Sequence, residues 1–340
     1  MGLRRRSTIA VVSLVAMAIC TRGAAQTFLP SATDETLPCF QPVDGVTWMR
    51  WNDNRPALDL WCKSVGPAIF ERHIPKPGVV TGWRILSWNI NVGAGHLEDV
   101  LPGLLKDAAD QRMGVIVLLQ EAFRGGEAVP ATYPPTLKVP KAIRPRRPTP
   151  DILAIAKQFD LSVAYVPSMR NGPATSPTER EDRGNAILTT EFLLDVKAIE
   201  LPFGKQRRVA VSAAVGSGSQ AVRVTTTHFD TNDHRVTQAL ALGERITFLN
   251  DLPLFLGADV NARHGLHDGA VLALGSRLSL ASCGIGRTNR WPLRLDTLYP
   301  IGRLDHVFTG TMLNDIVRTC ETLSDAHGSD HLPLLMTLRY

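Results

Sequence analysis

Eight side chains able to do acid, base or ligand chemistry stand at or beside expected strand ends in this sequence: Asn89, Glu121, His228, Asp259, Asn261, Asp305, Asp330 and His331. The fullest case is LFLGADVNA, residues 254–262, where an apolar run that could cross a buried sheet ends at Gly257 and is followed by Asp259 and Asn261. In extended chain that spacing puts both side chains on one face. A carboxylate and an amide presented together can anchor a metal, a phosphate or an attacking water. Turn chemistry accounts for any one of these positions, because Asp and Asn are ordinary turn formers. It does not account for the recurrence, since turns favour Gly, Pro and Ser over repeated Asp, Glu and His, and a shared site is the better explanation. Carboxylates and amide oxygens without nearby thiols are a hard ligand set, suited to Mg²⁺ or Mn²⁺ and not to zinc. His228 and His331 remain for proton transfer or for stabilising developing charge.

The elements that must position these groups can be read in order. GWRILSWNI has strand character and carries Asn89 at its end. Leu97, Val100, Leu101, Leu104, Leu105 and Ala108 then recur at helical spacing up to Gly114, after which the apolar VIVLLQ predicts a buried strand with Glu121 at its end. Residues 124–150 read as a long loop with seven prolines and no acid after Val129, but Lys138, Lys141, Arg144, Arg146 and Arg147, which predicts a basic loop over the same rim, its charges pointing outward across the cleft. A short helix capped by Asp151 and a strand over Leu161 to Val166 come next. A second loop leads to Arg183-Gly184-Asn185, which reads either as a turn or as a phosphate contact. Arg208 to Val215 and Ala221 to Thr227 predict a hairpin ending at His228. The helix after it, from His234 to Asn250, is expected to bury Val236, Leu240, Ile246 and Leu249.

The ends bound the setting. Arg4, Arg5 and Arg6 precede a short apolar stretch from Thr8 to Cys20, and Gly23-Ala24-Ala25 offers a cleavage point, so residues 1–25 read as a signal peptide and the protein as secreted or periplasmic. Cleavage would remove four arginines and no acid from a formal charge of +5, leaving +1, so the pI near 9.1 argues weakly for nucleic acid. It would also leave Cys39, Cys62, Cys283 and Cys320, an even set for an oxidising compartment. Of the three connectivities, the short-range pairs Cys39–Cys62 and Cys283–Cys320 are favoured. Residues 26–80, rich in Pro and Trp and without a period, read as an irregular extension stapled to a main domain over residues 81–340.

The ordered blocks SWNIN, LLQEAF, DRGNAILT, THFD, GADVN, RLDHVF and GSDHLP resemble those of the endonuclease/exonuclease/phosphatase superfamily, the deoxyribonuclease I-like fold. The resemblance implies an α/β (α+β) architecture, a four-layer α/β/β/α sandwich of two packed mixed β-sheets flanked by helices, and Mg²⁺-dependent hydrolysis of phosphate esters. By position it assigns Asn89, Glu121 and Asp330 to the metal. It assigns Asp259 to the attacking water, Asn261 to the scissile phosphate, and Asp305, His331 and His228 to stabilising charge on phosphorus; Arg183 and Asn185 stand beside this set as candidate substrate contacts, with a turn as the equal alternative. Two positions depart from the family pattern. Ala258 stands before Asp259 where GDxN is usual, read as a local bulge, and His306 replaces an aromatic, read as a change at the substrate wall. Phosphodiesters and phosphomonoesters both stay open as substrates, nucleic acid and membrane lipid among them, and a monomer is expected. A non-catalytic surface binding module on the same fold is the alternative.

Overall fold

The computed structural model describes residues 37–50, 55–74, 79–145, 147–172, 180–249, 251–262, 265–281, 283, 287–289, 302–310 and 317–340. The expected signal peptide and Arg146 lie outside the described residues. In chain order the elements are β1 (Val46–Met49), α1 (Arg55–Cys62), β2 (Ile69–Glu71), β3 (Gly82–Asn89), α2 (Leu97–Asp110), β4 (Gly114–Gly125), α3 (Ile152–Gln158), β5 (Ser162–Arg170), β6 (Glu181–Thr189), β7 (Leu193–Glu200), β8 (Val209–Val215), β9 (Val222–His228), α4 (His234–Phe248), β10 (Leu254–Asp259), α5 (Gly269–Gly275), β11 (Ser279–Leu280), β12 (Asp305–Thr309), β13 (Val317–Thr322) and β14 (Leu334–Arg339).

The strands form two seven-stranded mixed sheets, ordered β1-β7-β8-β9-β10-β12-β11 and β13-β14-β3-β4-β6-β5-β2. Near the middle of each lies one parallel pair joined by a helix: β3 and β4 through α2, and β9 and β10 through α4. Side-chain alternation in β4 shows why its sequence is an unbroken apolar run. Ile116 and Leu118 enter the core between the sheets, while Val115, Val117 and Leu119 pack against α2 and α3 on the outer face. The second sheet is covered likewise by α4 and α5, whose Leu242, Ile246 and Leu274 meet Leu254 and Leu256 of β10. These are the four layers that the resemblance implied. The sheets close tightly at Gly257, where a Cβ would sit 2.4 Å from Ser87 Oγ on β3.

Several expectations change in detail. The stretch read as an irregular extension supplies an edge strand to each sheet: β1 lies parallel to β7, and β2 antiparallel to β5. Strands of four and three residues are too short to print a period. Strand β7 gave no clear signal because a bulge between Leu194 and Lys197, with Asp195 at φ +48°, breaks its alternation. In α4, Leu240 is not buried but 48% exposed; Ala239, Leu242 and Ile246 form the inner stripe, and the buried Arg235 and Gln238 are satisfied by Asp268 and the Pro202 carbonyl. Both short-range disulfides, Cys39–Cys62 and Cys283–Cys320, are present. The basic loop is less free than its sequence suggests: Arg144 pairs with Glu181, and Arg147 with Asp99 and Glu98, acids distant in sequence.

Candidate active site

The two parallel pairs deliver their carboxyl ends to one place. In register, Asn89 lies beside Gln120, the residue before Glu121, and His228 lies opposite Asp259. Because the sheets face one another, the two ends meet, and Asn89 Nδ2 donates across to Asp259 Oδ2 at 2.8 Å. Strand β12 runs antiparallel to β10 and begins with Asp305 opposite Asp259. His331, just before β14, points its Nδ1 at Asp305 Oδ2, 2.8 Å away. Ligand atoms of Asp259, Asp305 and His331 all lie within 4.8 Å of one another, a group able in principle to hold a metal. Asp330 is beside it, with Oδ1 4.0 Å from His331 Nε2.

Glu121 does not end its strand. It is the residue thrown out by a bulge between Leu119 and Ala122, with φ +51°, and β4 resumes pairing beyond it. A left-handed glutamate is strained, which is the pattern of a residue held in place for its side chain. Its carboxylate accepts from Arg183 Nη1 at 3.2 Å and lies 3.5 Å from His228 Nδ1. Asn261 shares the strain at φ +52°; its backbone N–H donates to Asp259 Oδ1 at 2.9 Å, and its Nδ2 donates to the Phe229 carbonyl at 2.9 Å while lying 3.0 Å from His228 Nε2. His228 Nε2 also lies 3.3 Å from Asp259 Oδ2, so the ring stands between the Asn261 amide, Asp259 and Glu121.

Electrostatics separate the two histidines. Burial, helped by the Arg208 cation, drives His228 well below its usual value, so it is neutral. Burial also opposes charge on His331, but the Asp305 and Asp259 carboxylates overcome it and push His331 up to about 10, so it is an imidazolium near neutral pH. Burial raises Asp259 to about 7, into the range where a carboxylate can take a proton. Asp330 is raised as well, by burial first, with Glu121 near enough to contribute.

All ten residues singled out in the sequence have defined places here, though not all are free to act. Asn185 sits in β6 and spends its Nδ2 on the Val209 carbonyl at 2.8 Å. Ala258 is no bulge, because the register of β10 against β9 and β12 runs unbroken through it. It packs on the helix side, and alternation returns Asp259 to the cleft. His306 is no substrate wall. It is fully buried on the face opposite Asp305, its Nε2 3.2 Å from the Arg303 carbonyl. Sequence reasoning missed Arg208. With Ser168, Met169, Arg183, Gly184 and Asn185 it lines a cleft between Glu121 and His228. The available signal was an Arg-Arg pair directly before a strand that buries both faces.

The donor chemistry fits a hard divalent cation. Glu121 and Asp330 bring carboxylates, and Asn89 Oδ1, which accepts the Asn91 N–H at 3.0 Å, keeps a second lone pair.

The family model for the Endonuclease/Exonuclease/phosphatase family matches residues 86–331, and the chain belongs to that family. The family includes phosphatases and nucleases that hydrolyse phosphate esters. Among solved structures, an endonuclease/exonuclease/phosphatase from Beutenbergia cavernae DSM 12333 is similar, with 18% identity and a TM-score of 0.53 over 76% of this chain and 72% of that one. A family protein from Bacteroides thetaiotaomicron is 15% identical, with a TM-score of 0.50 over 76% of this chain and 95% of its own. The human Nocturnin catalytic domain with bound sulfate anion is 15% identical over 77% of this chain and 96% of its own, with a TM-score of 0.49. The first two likenesses support the fold. No curated protein sequence matches the chain.

Proposed function

We propose that this chain is an exported phosphoric ester hydrolase that uses Mg²⁺ or Mn²⁺ and water. The observation that carries the reading is one cleft in which a strained Glu121, a carboxylate raised to about 7 and an Asp-paired imidazolium converge from both sheets. Glu121, Asn89 and Asp330 would hold the ion, which when bound would supply Lewis-acid charge to the reacting phosphate group. Asp259, held by the Asn89 side chain and the Asn261 N–H, takes the proton of the attacking water. Asp305 fixes the tautomer and direction of His331, whose Nε2 proton meets the negative charge gathering on phosphorus. Neutral His228, oriented by Asn261, offers a second contact to the same group, and Arg183 exchanges Glu121 for substrate oxygen.

Export is supported by two disulfides, which persist in oxidising compartments, together with the basic and apolar head of the sequence. The mature domain is read as a monomer spanning residues 81–340 with its extension packed onto it. The deciding experiment takes protein from about Gln26, with Mg²⁺ or with chelator, and offers it chromogenic phosphomonoester and phosphodiester, DNA, RNA, sphingomyelin and inositol phosphates. Turnover that chelator abolishes is expected on at least one. A folded protein without turnover on any would leave the binding-module alternative standing.

A further inference from the structure

Two arginines meet at one end of the cleft with hydrogen-bonding capacity to spare. Arg208, 5% exposed, donates from Nη2 to Gln206 Oε1 at 3.2 Å, while its Nε faces Asp230 at 3.5 Å without forming a hydrogen bond. Arg183 reaches Glu121 with Nη1, and its buried Nε has no hydrogen-bond partner among the described residues. The two guanidinium groups are close enough to repel. Each already faces one carboxylate, Arg183 that of Glu121 and Arg208 that of Asp230, yet both keep unpaired donors, and the arginine fork matches phosphate oxygens in pairs. One side of the cleft is a packed wall. Met169 lines it and packs on Trp61 of α1 and Leu137 of the Pro-rich loop. Arg207 fixes this wall by donating to the Pro167 carbonyl at 2.8 Å while gripping Glu200.

We propose that Arg208 and Arg183 form a seat for a terminal phosphate group at the walled end of the cleft, so that the substrate is a phosphomonoester or a phosphorylated chain end. The proposal rests on the hydrolase reading above and chooses within it. A monoester brings three non-bridging oxygens to the seat; a diester brings two, plus an ester arm to be accommodated beside the wall that Met169 lines. Arg208 is thereby a specificity-determining residue.

The test compares mature wild type with Arg208→Gln and Arg208→Lys. Inorganic phosphate is titrated calorimetrically into metal-free protein, and kcat/KM is measured with Mg²⁺ on p-nitrophenyl phosphate and on bis-p-nitrophenyl phosphate. Phosphate affinity should fall at least about tenfold in Arg208→Gln, and monoester kcat/KM should fall at least about tenfold further than diester kcat/KM. The lysine variant keeps a cation beside Asp230 but lacks the fork, so it should fold and still lose selectivity. Equal phosphate affinity in all three proteins, or equal losses on both esters, would overturn the proposal. Phosphate binding through Arg208 without any turnover would instead refute the hydrolase reading and leave the seat in place.

Discussion

His306 offers a stability prediction whose size follows from its surroundings. Burial, and then the Arg303 cation, lower it from 6.5 to about 4, and its Nδ1 has no hydrogen-bond partner among the described residues. In the folded protein it therefore stays neutral where the unfolded chain binds a proton. The sign follows: its contribution is complete above pH 6.5 and is lost as pH falls towards 4. A gap of roughly 2.5 between these values, at about 1.4 kcal/mol for each whole step, is worth about 3 kcal/mol in full and about 2 kcal/mol by pH 5. The His306→Phe variant keeps an aromatic ring among Phe308 and the helix-facing core and cannot protonate. It loses a hydrogen bond to Arg303, so at pH 7.5 it should be no more than about 1–2 kcal/mol less stable than wild type. Urea unfolding of both proteins at pH 7.5, 6 and 5 isolates the group, because every other titrating residue is common to the two. The wild type should lose about 2 kcal/mol more than the variant between pH 7.5 and 5. Parallel stability curves would mean that His306 is not held neutral, and the reasoning from its burial would be wrong.

Glu121→Gln should weaken Mg²⁺ binding in a calorimetric titration by at least about tenfold and abolish turnover, with little change in melting temperature; unchanged affinity would remove Glu121 from the metal site. Ala variants of Asp305 and His331 should each lose roughly 10²- to 10⁴-fold in turnover and the double variant little more, whereas additive losses would show that the two act separately. Gly257→Ala drives a methyl group against Ser87 Oγ and should cost about 1–3 kcal/mol in urea unfolding. A neutral result would mean that the sheets yield there.

The site was more legible than the frame that holds it. Asp259, Asp305 and His331 are ionisable groups at or beside strand ends, and their recurrence has few structural explanations, so type and position marked them. Glu121 was expected to end its strand and instead lies in a bulge within it, because a bulge leaves no mark in a sequence whose apolar run simply stops. Arg208 was passed over since arginine before a strand is ordinarily a solvated end, and only the packing of β5, β6 and β8 shows it buried. The same limit hid the ion pairs of Arg144 and Arg147, whose partners lie 37 and 48 residues away. Short edge strands and the rotation of α4 depend on what they pack against, and that information is spread over the whole chain.

The pairing order of the strands bears on how such a chain comes to be folded at all. Strand β3 gains its neighbour on one side at β4, but the other side stays open until β14, whose Arg339 pairs with Gly82. At the opposite edges, β1 waits for β7 and β2 for β5, so neither sheet can be finished from the early part of the chain. As a ribosome extends the polypeptide, exposed strand edges persist until synthesis reaches residue 339. Premature association through those edges is the hazard, and long-range closure makes the final step slow. A chain built this way has little to lose by crossing a membrane extended and folding afterwards. Its two disulfides close only 23 and 37 residues apart, so oxidation can proceed locally while the sheets are still unassembled.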